Sequence, residues 1–272
     1  MSLFIAIPCF GGKCHAGFTQ SLLQLKTILI HHKIEHKISF LEHESLISRG
    51  RNTLVAEFYA CSSNTYLLFL DSDLIFNPNS VLKMISENKE LIGCPYPKKQ
   101  LNFKKIEAYV ADNGWENIEQ TGLPYFTDIN YNLIDEPNVK ELTTNNSVLE
   151  ANDIPTGFML INRSVITALI IAYPERQYIN NIAGIDKGIN NYFYDFFGTG
   201  VVNGIYLSED YFFCNLVRAI GIKCYLETAY SFGHIGSLTY YGNLALQLNN
   251  DITDKNNSDK ILLNSIKNGA EK

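Results

Sequence analysis

Apolar runs and amphipathic segments alternate over the first hundred residues of the chain. Short apolar runs predict buried strands at residues 3–7, 37–41, 65–70 and 91–94. After the first run, apolar residues recur at the spacing of a helix, at Phe18, Leu22, Leu25 and Leu29. Two further helices are predicted to begin at Ser48, as an N-cap, and at Asn79 or Ser80. Strands and helices in alternation predict an α/β fold with a mostly parallel sheet.

The pattern is less regular after residue 100. Strand patterns of varying strength occur at residues 106–111, 147–151, 154–161 and 223–226. Residues 163–172 predict a helix, and another is predicted to follow Ser208 and to end before Gly221. The polar residues 249–272 predict a loose C-terminal tail.

The composition is typical of a folded protein. The 272 residues are 46% hydrophobic and carry a net charge of -6, so we expect a sizeable core and no nucleic-acid partner. No apolar run approaches the roughly 20 residues that a membrane span needs, and the N-terminus lacks the pattern of a signal peptide. Six cysteines without a CxxC pair argue against a zinc ribbon and favour a reducing, cytoplasmic location.

Polar residues follow the predicted strands, at residues 9–12, 42–44, 71–73 and 96–99. Parallel sheets bind ligands beyond the carboxyl ends of their strands. Asp71-Ser72-Asp73 is the strongest candidate, because two carboxylates beside a buried strand cost desolvation energy unless a positive charge binds there. Their spacing suits Mg²⁺ or Mn²⁺, which share coordination with phosphates. The structural alternative is an Asx-type turn that closes the strand.

Three more clusters carry candidate chemistry. Arg49 and Arg51 lie near a predicted helix N-terminus, where their charge opposes the helix dipole and a bound phosphate explains them better. Glu209 and Asp210 lie in the first turn of a helix, where acidic residues are also ordinary capping groups. His234 lies among glycines, a setting that suits either a metal ligand on a tight loop or a packed side chain.

These segments also form an ordered set. The first strand ends in IPCF, the second helix carries SRGRN, and the later segments are LFLDSD, IPTGFMLINRSV, LSEDYFF and GHIG. The set, which spans residues 3–245, resembles the GT-A glycosyltransferases, especially the small family-2-like enzymes of bacteria and large DNA viruses. The resemblance implies a Rossmann-like sheet flanked by helices, with a smaller mixed region. It also implies that residues 1–100 are a nucleotide-sugar-binding half and residues 101–248 an acceptor and catalytic half of one domain.

The resemblance implies roles for single residues as well. Asp71, Asp73 and His234 correspond to ligands of a Mn²⁺ or Mg²⁺ ion that holds the donor diphosphate. The implied catalytic base is Asp210, with Glu209 beside it. The positions that correspond to nucleotide and donor contacts are Pro8, Cys9, Phe10, Arg49, Arg51, Asn52, Ser72, Thr156, Gly157 and Phe158.

The expected reaction moves a sugar from a nucleoside-diphosphate sugar, with UDP as the expected nucleotide, to a hydroxyl of a glycan or other acceptor, with inversion. Two alternatives stay open. A sugar-phosphate nucleotidyltransferase also uses paired carboxylates, and the first loop, Gly11-Gly12-Lys13, departs from the glycosyltransferase pattern and permits a triphosphate. A non-catalytic carbohydrate-binding protein would bind sugar without a metal.

Overall fold

The computed structural model describes residues 1–115, 127–129, 131–134, 147–181 and 187–248. The predicted tail at residues 249–272 lies outside these ranges. The helices are α1 (Ala16–His31), α2 (Ile47–Ala60), α3 (Asn79–Ser86), α4 (Phe103–Asn113), α5 (Arg163–Ala172) and α6 (Glu209–Ala219). Short 3-10 turns lie at Phe10–Gly12, Pro174–Arg176 and Lys187–Tyr192. Among the helices in the described ranges, none has the length and apolar character needed to cross a membrane.

The strands follow the same chain order. They are β1 (Ser2–Cys9), β2 (Glu35–Glu42), β3 (Tyr66–Leu70), β4 (Leu74–Phe76), β5 (Leu91–Gly93), β6 (Pro97–Leu101), β7 (Thr127–Ile129), β8 (Asn132–Leu133), β9 (Val148–Asp153), β10 (Phe158–Asn162), β11 (Gly200–Val202), β12 (Ile205–Leu207), β13 (Cys224–Glu227), β14 (Phe232–Ile235) and β15 (Thr239–Gly242).

A large central sheet organises the described part of the chain. Its strand order is β2-β1-β3-β10-β5-β13-β9-β8, and all of these strands except β9 and β10 run in one direction. Smaller sheets are formed by β4, β14 and β15, by β6 and β7, and by β11 and β12. The predicted fold class is thereby confirmed as mixed α/β, with a mostly parallel sheet flanked by helices and smaller sheets.

The centre of the sheet is buried on both faces. In β3, Leu67 and Phe69 pack into one hydrophobic core, whereas Leu68 and Leu70 pack into the core on the opposite face. Side chains alternate across a strand, so an entirely apolar strand can fill two cores at once. This double burial explains why residues 65–70 read as a continuous apolar run.

Several local predictions are wrong. Ser48 is not an N-cap, because α2 begins at Ile47 after Leu46 and its first turn has no side-chain cap. Residues 106–111 form part of helix α4 rather than a strand, since the side chain of Asn102 accepts a hydrogen bond from Lys105 N and caps that helix. His234 lies on strand β14, not on a tight loop.

Candidate functional site

A pocket of about 370 Å³ lies at the carboxyl ends of β1 and β3, beside the N-terminal turns of α2 and α6. This is the edge where a parallel sheet binds its ligands. Of the predicted site residues, those that line the pocket are Pro8, Cys9, Phe10, Arg51, Asp71, Ser72, Asp73 and Glu209. Polar residues separated by more than a hundred positions in the chain therefore converge on one cavity.

Arg51 is a buried cation between two carboxylates. Its side chain is 3% exposed, its Nη2 lies 3.1 Å from Asp71 Oδ1, and its Nε lies 3.3 Å from Glu209 Oε1. The guanidinium also lies over the ring of Phe69, 5.3 Å from its centroid. Burial opposes the charge, but Asp71 and Glu209 outweigh it and raise the pKa of Arg51. Arg51 Nη1 is buried and has no hydrogen-bond partner within the described residues.

Asp73 faces different partners. Its Oδ2 lies 2.5 Å from Lys99 Nζ, and its Oδ1 lies 3.5 Å from His234 Nε2. Burial raises the pKa of Asp73, but the hydrogen bonds and charges of His234 and Lys99 outweigh burial and lower it to about 2. The carboxylate is therefore ionised at neutral pH.

The ring of His234 is oriented by the backbone. His234 Nδ1 lies 2.8 Å from the carbonyl oxygen of Pro97, which can only accept, so Nδ1 carries the proton. In the neutral imidazole, Nε2 is then an acceptor that faces Asp73 Oδ1. Two acceptors this close need a proton or a cation between them. An anchored imidazole beside a carboxylate is a donor pair that metal sites use.

The donor set fits a divalent cation in part. Asp73 and His234 form a nitrogen–oxygen pair that Mn²⁺ accepts, with phosphate oxygens and water as further ligands. Asp71 does not join this pair, because its carboxylate is directed to Arg51. In the described ranges, no three side chains of His, Cys, Asp or Glu are grouped to hold a metal ion. The three-ligand set predicted from the sequence is thus not preformed.

The two acidic residues of α6 differ in their surroundings. Glu209 lines the pocket and pairs with Arg51. Asp210 Oδ1 accepts hydrogen bonds from Ser208 Oγ and from the backbone of Tyr211, which fixes the carboxylate at the helix N-terminus. Asp210, the predicted base, therefore also caps a backbone amide of the first helical turn. Glu209, which faces the pocket, is held in its ion pair with Arg51.

Gly157 brings β10 into close contact with the Asp71 side of the site. Asp71 N donates to the carbonyl oxygen of Gly157, and Gly157 N donates to Tyr96 Oη. A Cβ at this position would collide with the Tyr96 hydroxyl and with Asp71 Oδ2, so the approach requires glycine. Thr156 is buried beside it, whereas Phe158 packs in the core against Phe76 and Phe232 rather than toward the pocket.

Arg49 and Asn52 also lie outside the 370 Å³ pocket, as do Thr156, Gly157 and Phe158. Arg49 forms a two-point ion pair with Glu44, at 2.7 and 2.8 Å, so its charge is already compensated. Asn52 is buried and donates to Asp195, while its oxygen accepts from the backbone of Phe196 and Phe197. Both residues line the adjoining groove that contains Tyr178 and Asp195, and Asn52 is held there by hydrogen bonds within the protein.

Three residues that contact the site were not among the site residues predicted from the sequence, namely Lys99, Tyr96 and Glu44. Residues 96–99 follow strand β5, so the rule that ligands bind beyond strand ends did indicate this segment. No local pattern shows that Lys99 meets Asp73, because the contact depends on the path of β6 past β14.

The sequence matches no family model and no curated protein. Among solved structures, the chain is similar to A197 from STIV, with a TM-score of 0.45 and 16% identity over 86% of this chain and 85% of that chain. It is also similar to TarS 1–349 of S. aureus, with a TM-score of 0.36 and 13% identity over 89% of this chain and 60% of that chain. These scores are low, so the function has to be inferred from the site itself.

Proposed function

We propose that the chain is a metal-dependent glycosyltransferase that moves a sugar from a nucleoside-diphosphate sugar to an acceptor hydroxyl. The observation that supports this most is the placement of Asp73 beside His234 Nε2, at the wall of a pocket that the ends of β1 and β3 form. A carboxylate and an anchored imidazole suit a divalent cation, and the adjoining cavity is large enough for part of a nucleotide.

The pocket walls suit the two ends of a nucleoside diphosphate. Pro8, Cys9 and Leu41 supply an apolar wall for a base, while Ser72 and Asp73 lie at the wall where the diphosphate would end. Arg51 presents a buried guanidinium whose Nη1 is unpartnered in the described structure, and a phosphate oxygen would satisfy it. A Mn²⁺ or Mg²⁺ ion on Asp73 and His234 would supply Lewis acidity for the leaving diphosphate.

Asp210 is the proposed base for the acceptor hydroxyl. An alcohol needs a general base as the new bond forms, and an oriented carboxylate can accept that proton. Ser208 and the backbone of Tyr211 hold Asp210 in place through one oxygen. Glu209 is the weaker candidate because its Oε1 is held in an ion pair with Arg51 Nε.

Binding of UDP with and without Mn²⁺ tests the proposal. We expect Mn²⁺ and UDP together to raise the unfolding temperature of the wild-type protein, because a ligand of the native state stabilises it by mass action. Asp73→Asn should remove this shift, whereas Asp112→Asn, an exposed site on α4, should not. A shift that needs no metal, or that survives Asp73→Asn, contradicts the proposal. Pyrophosphate release from nucleoside triphosphate and sugar phosphate would favour the nucleotidyltransferase instead.

A further inference from the structure

Lys99 occupies the carboxylate that the proposed cation needs. Its ammonium lies 2.5 Å from Asp73 Oδ2, and no other described cation apart from the His234 ring, if protonated, is paired with this carboxylate. The neighbouring Lys98 is exposed on the same strand, where successive side chains point to opposite faces. The contact with Asp73 is therefore specific to one lysine of the pair.

Strand β6 supports both sides of this contact. The carbonyl of Pro97 orients His234, and Lys99 two residues later reaches the carboxylate that His234 faces. The stem of Lys99 passes over Gly236, where a Cβ would lie 3.2 Å from Lys99 Cδ. Gly236, two residues after His234, thus leaves room for the lysine stem. The Lys99 side chain is 41% exposed, so its ammonium has space to move away from Asp73.

A divalent cation and the Lys99 ammonium compete for Asp73. Both are positive, and like charges a few ångströms apart repel strongly where water is partly excluded. Divalent binding therefore requires the ammonium to leave, and the Asp73 ion pair is lost unless a new anionic partner replaces it. A diphosphate that arrives with the cation supplies that partner within reach of the flexible lysine stem.

We propose that Lys99 is a positioning residue that holds Asp73 in the ligand-free protein and transfers to the diphosphate when a divalent cation binds. This inference rests on the proposed function of the site. It makes binding of the cation and the diphosphate mutually dependent. Mn²⁺ alone has to displace an ion pair without compensation, whereas the Mn²⁺–diphosphate complex gives the ammonium a replacement for Asp73.

The test compares two probes, Mn²⁺ alone and the preformed Mn²⁺–UDP complex. Binding of Mn²⁺ is followed by the loss of its free-ion electron paramagnetic resonance signal, and binding of Mn²⁺–UDP by calorimetry. We expect Lys99→Gln to bind Mn²⁺ alone about tenfold more tightly than wild type, because the competing ammonium is absent. The same variant should bind Mn²⁺–UDP about tenfold more weakly, because the diphosphate loses its cationic partner. Lys98→Gln should behave as wild type with both probes.

The opposite signs of the two effects distinguish this role from a structural one. A variant that merely loosened the site would weaken both probes, and that result overturns the inference. Lys99→Arg keeps the charge and should restore wild-type behaviour toward Mn²⁺ alone. If Lys99→Gln binds Mn²⁺ alone no better than wild type while wild type still binds Mn²⁺–UDP, the inference is wrong and the proposed function stands. If wild type binds neither probe, the proposed function itself is wrong.

Discussion

The buried guanidinium of Arg51 pairs with the partly exposed carboxylate of Asp71, with Nη2 3.1 Å from Oδ1. This contact divides the Asp71-Ser72-Asp73 segment into two parts with different surroundings. The charge of Asp71 is compensated by Arg51, and the backbone amide of Asp71 donates to the carbonyl oxygen of Gly157. The cation paired with Asp73 can be exchanged for another, because Lys99 is partly exposed and its four-carbon stem is flexible.

Removing the buried cation should destabilise the fold. Arg51→Met leaves the partly exposed carboxylates of Asp71 and Glu209 without their shared partner. Because loss of one member of a fully buried pair typically costs about 3–5 kcal/mol, we expect a loss between about 1 kcal/mol and that range. The free energy of unfolding in urea measures this loss. Adding Asp71→Asn to the variant should recover part of it, because one uncompensated charge is removed. A loss below about 1 kcal/mol would show that the pair is not desolvated as described.

Gly157→Ala should disturb the site through contact alone. The new Cβ collides with Tyr96 and Asp71, and overpacking typically costs about 1–3 kcal/mol. We expect a lower free energy of unfolding together with weaker binding of Mn²⁺–UDP. Gly200→Ala is the matched control, because a Cβ there meets nothing within 4 Å. Equal behaviour of the two variants would contradict the close approach of β10 to Asp71.

Asp210→Asn tests the proposed base. The amide keeps the shape of the side chain but cannot take the acceptor proton, so we expect kcat to fall by about 10² to 10⁴ while the affinity for the donor stays constant. The rate of nucleoside diphosphate release from the donor sugar measures the effect, and calorimetry measures donor affinity. Normal turnover in this variant would exclude Asp210. Glu209→Gln should instead lower the free energy of unfolding, because Arg51 loses a partner.

Glu227 predicts a pH dependence of stability. The side chain is fully buried, and its Oε1 accepts from Ser147 Oγ at 2.6 Å and from the backbone of Ala229 at 3.1 Å. Burial raises the pKa of Glu227 above its ordinary value of 4.5, although these hydrogen bonds partly oppose the rise. The folded state therefore binds the proton more tightly than the unfolded state does.

The contribution of Glu227 to the free energy of unfolding should consequently fall as pH rises from 4.5 through the folded-state pKa. Glu227→Gln removes this titration and keeps an acceptor oxygen. Urea unfolding at a series of pH values should show the wild type losing stability relative to Glu227→Gln as pH increases. Glu107→Gln, an exposed substitution on α4, should leave the pH dependence unchanged. A difference that grows in favour of wild type would contradict the raised pKa.

The sequence predicted what depends on local spacing. The strand–helix alternation before residue 100 follows from periodicity, and Asp71 to Asp73 could be placed at a sheet edge for that reason. The prediction that Arg49 and Arg51 form one phosphate-binding cluster conflicts with helical periodicity, since residues two apart on a helix do not face the same way. The structure accordingly directs Arg49 to Glu44 and Arg51 to Asp71.

Contacts between distant segments could not be predicted. Arg51 meets Glu209 across 158 positions, and the insertion of β10 against β3 depends on pairing that no local pattern encodes. The tight loop predicted around His234 was wrong for the same reason, because strand β14 forms only by pairing with β4 and β15.

The position of β10 also has a consequence for biosynthesis. This strand is inserted between β3 and β5, so its backbone completes hydrogen bonds for two segments synthesised earlier. A nascent chain that has not yet released residue 162 from the ribosome carries Asp71 and Asp73 but not the strand that fixes Asp71. The pocket can therefore assemble only late in translation. A fragment cut near residue 100 would leave one edge of β3 and both edges of β5 unpaired, and unpaired edges are prone to aggregate.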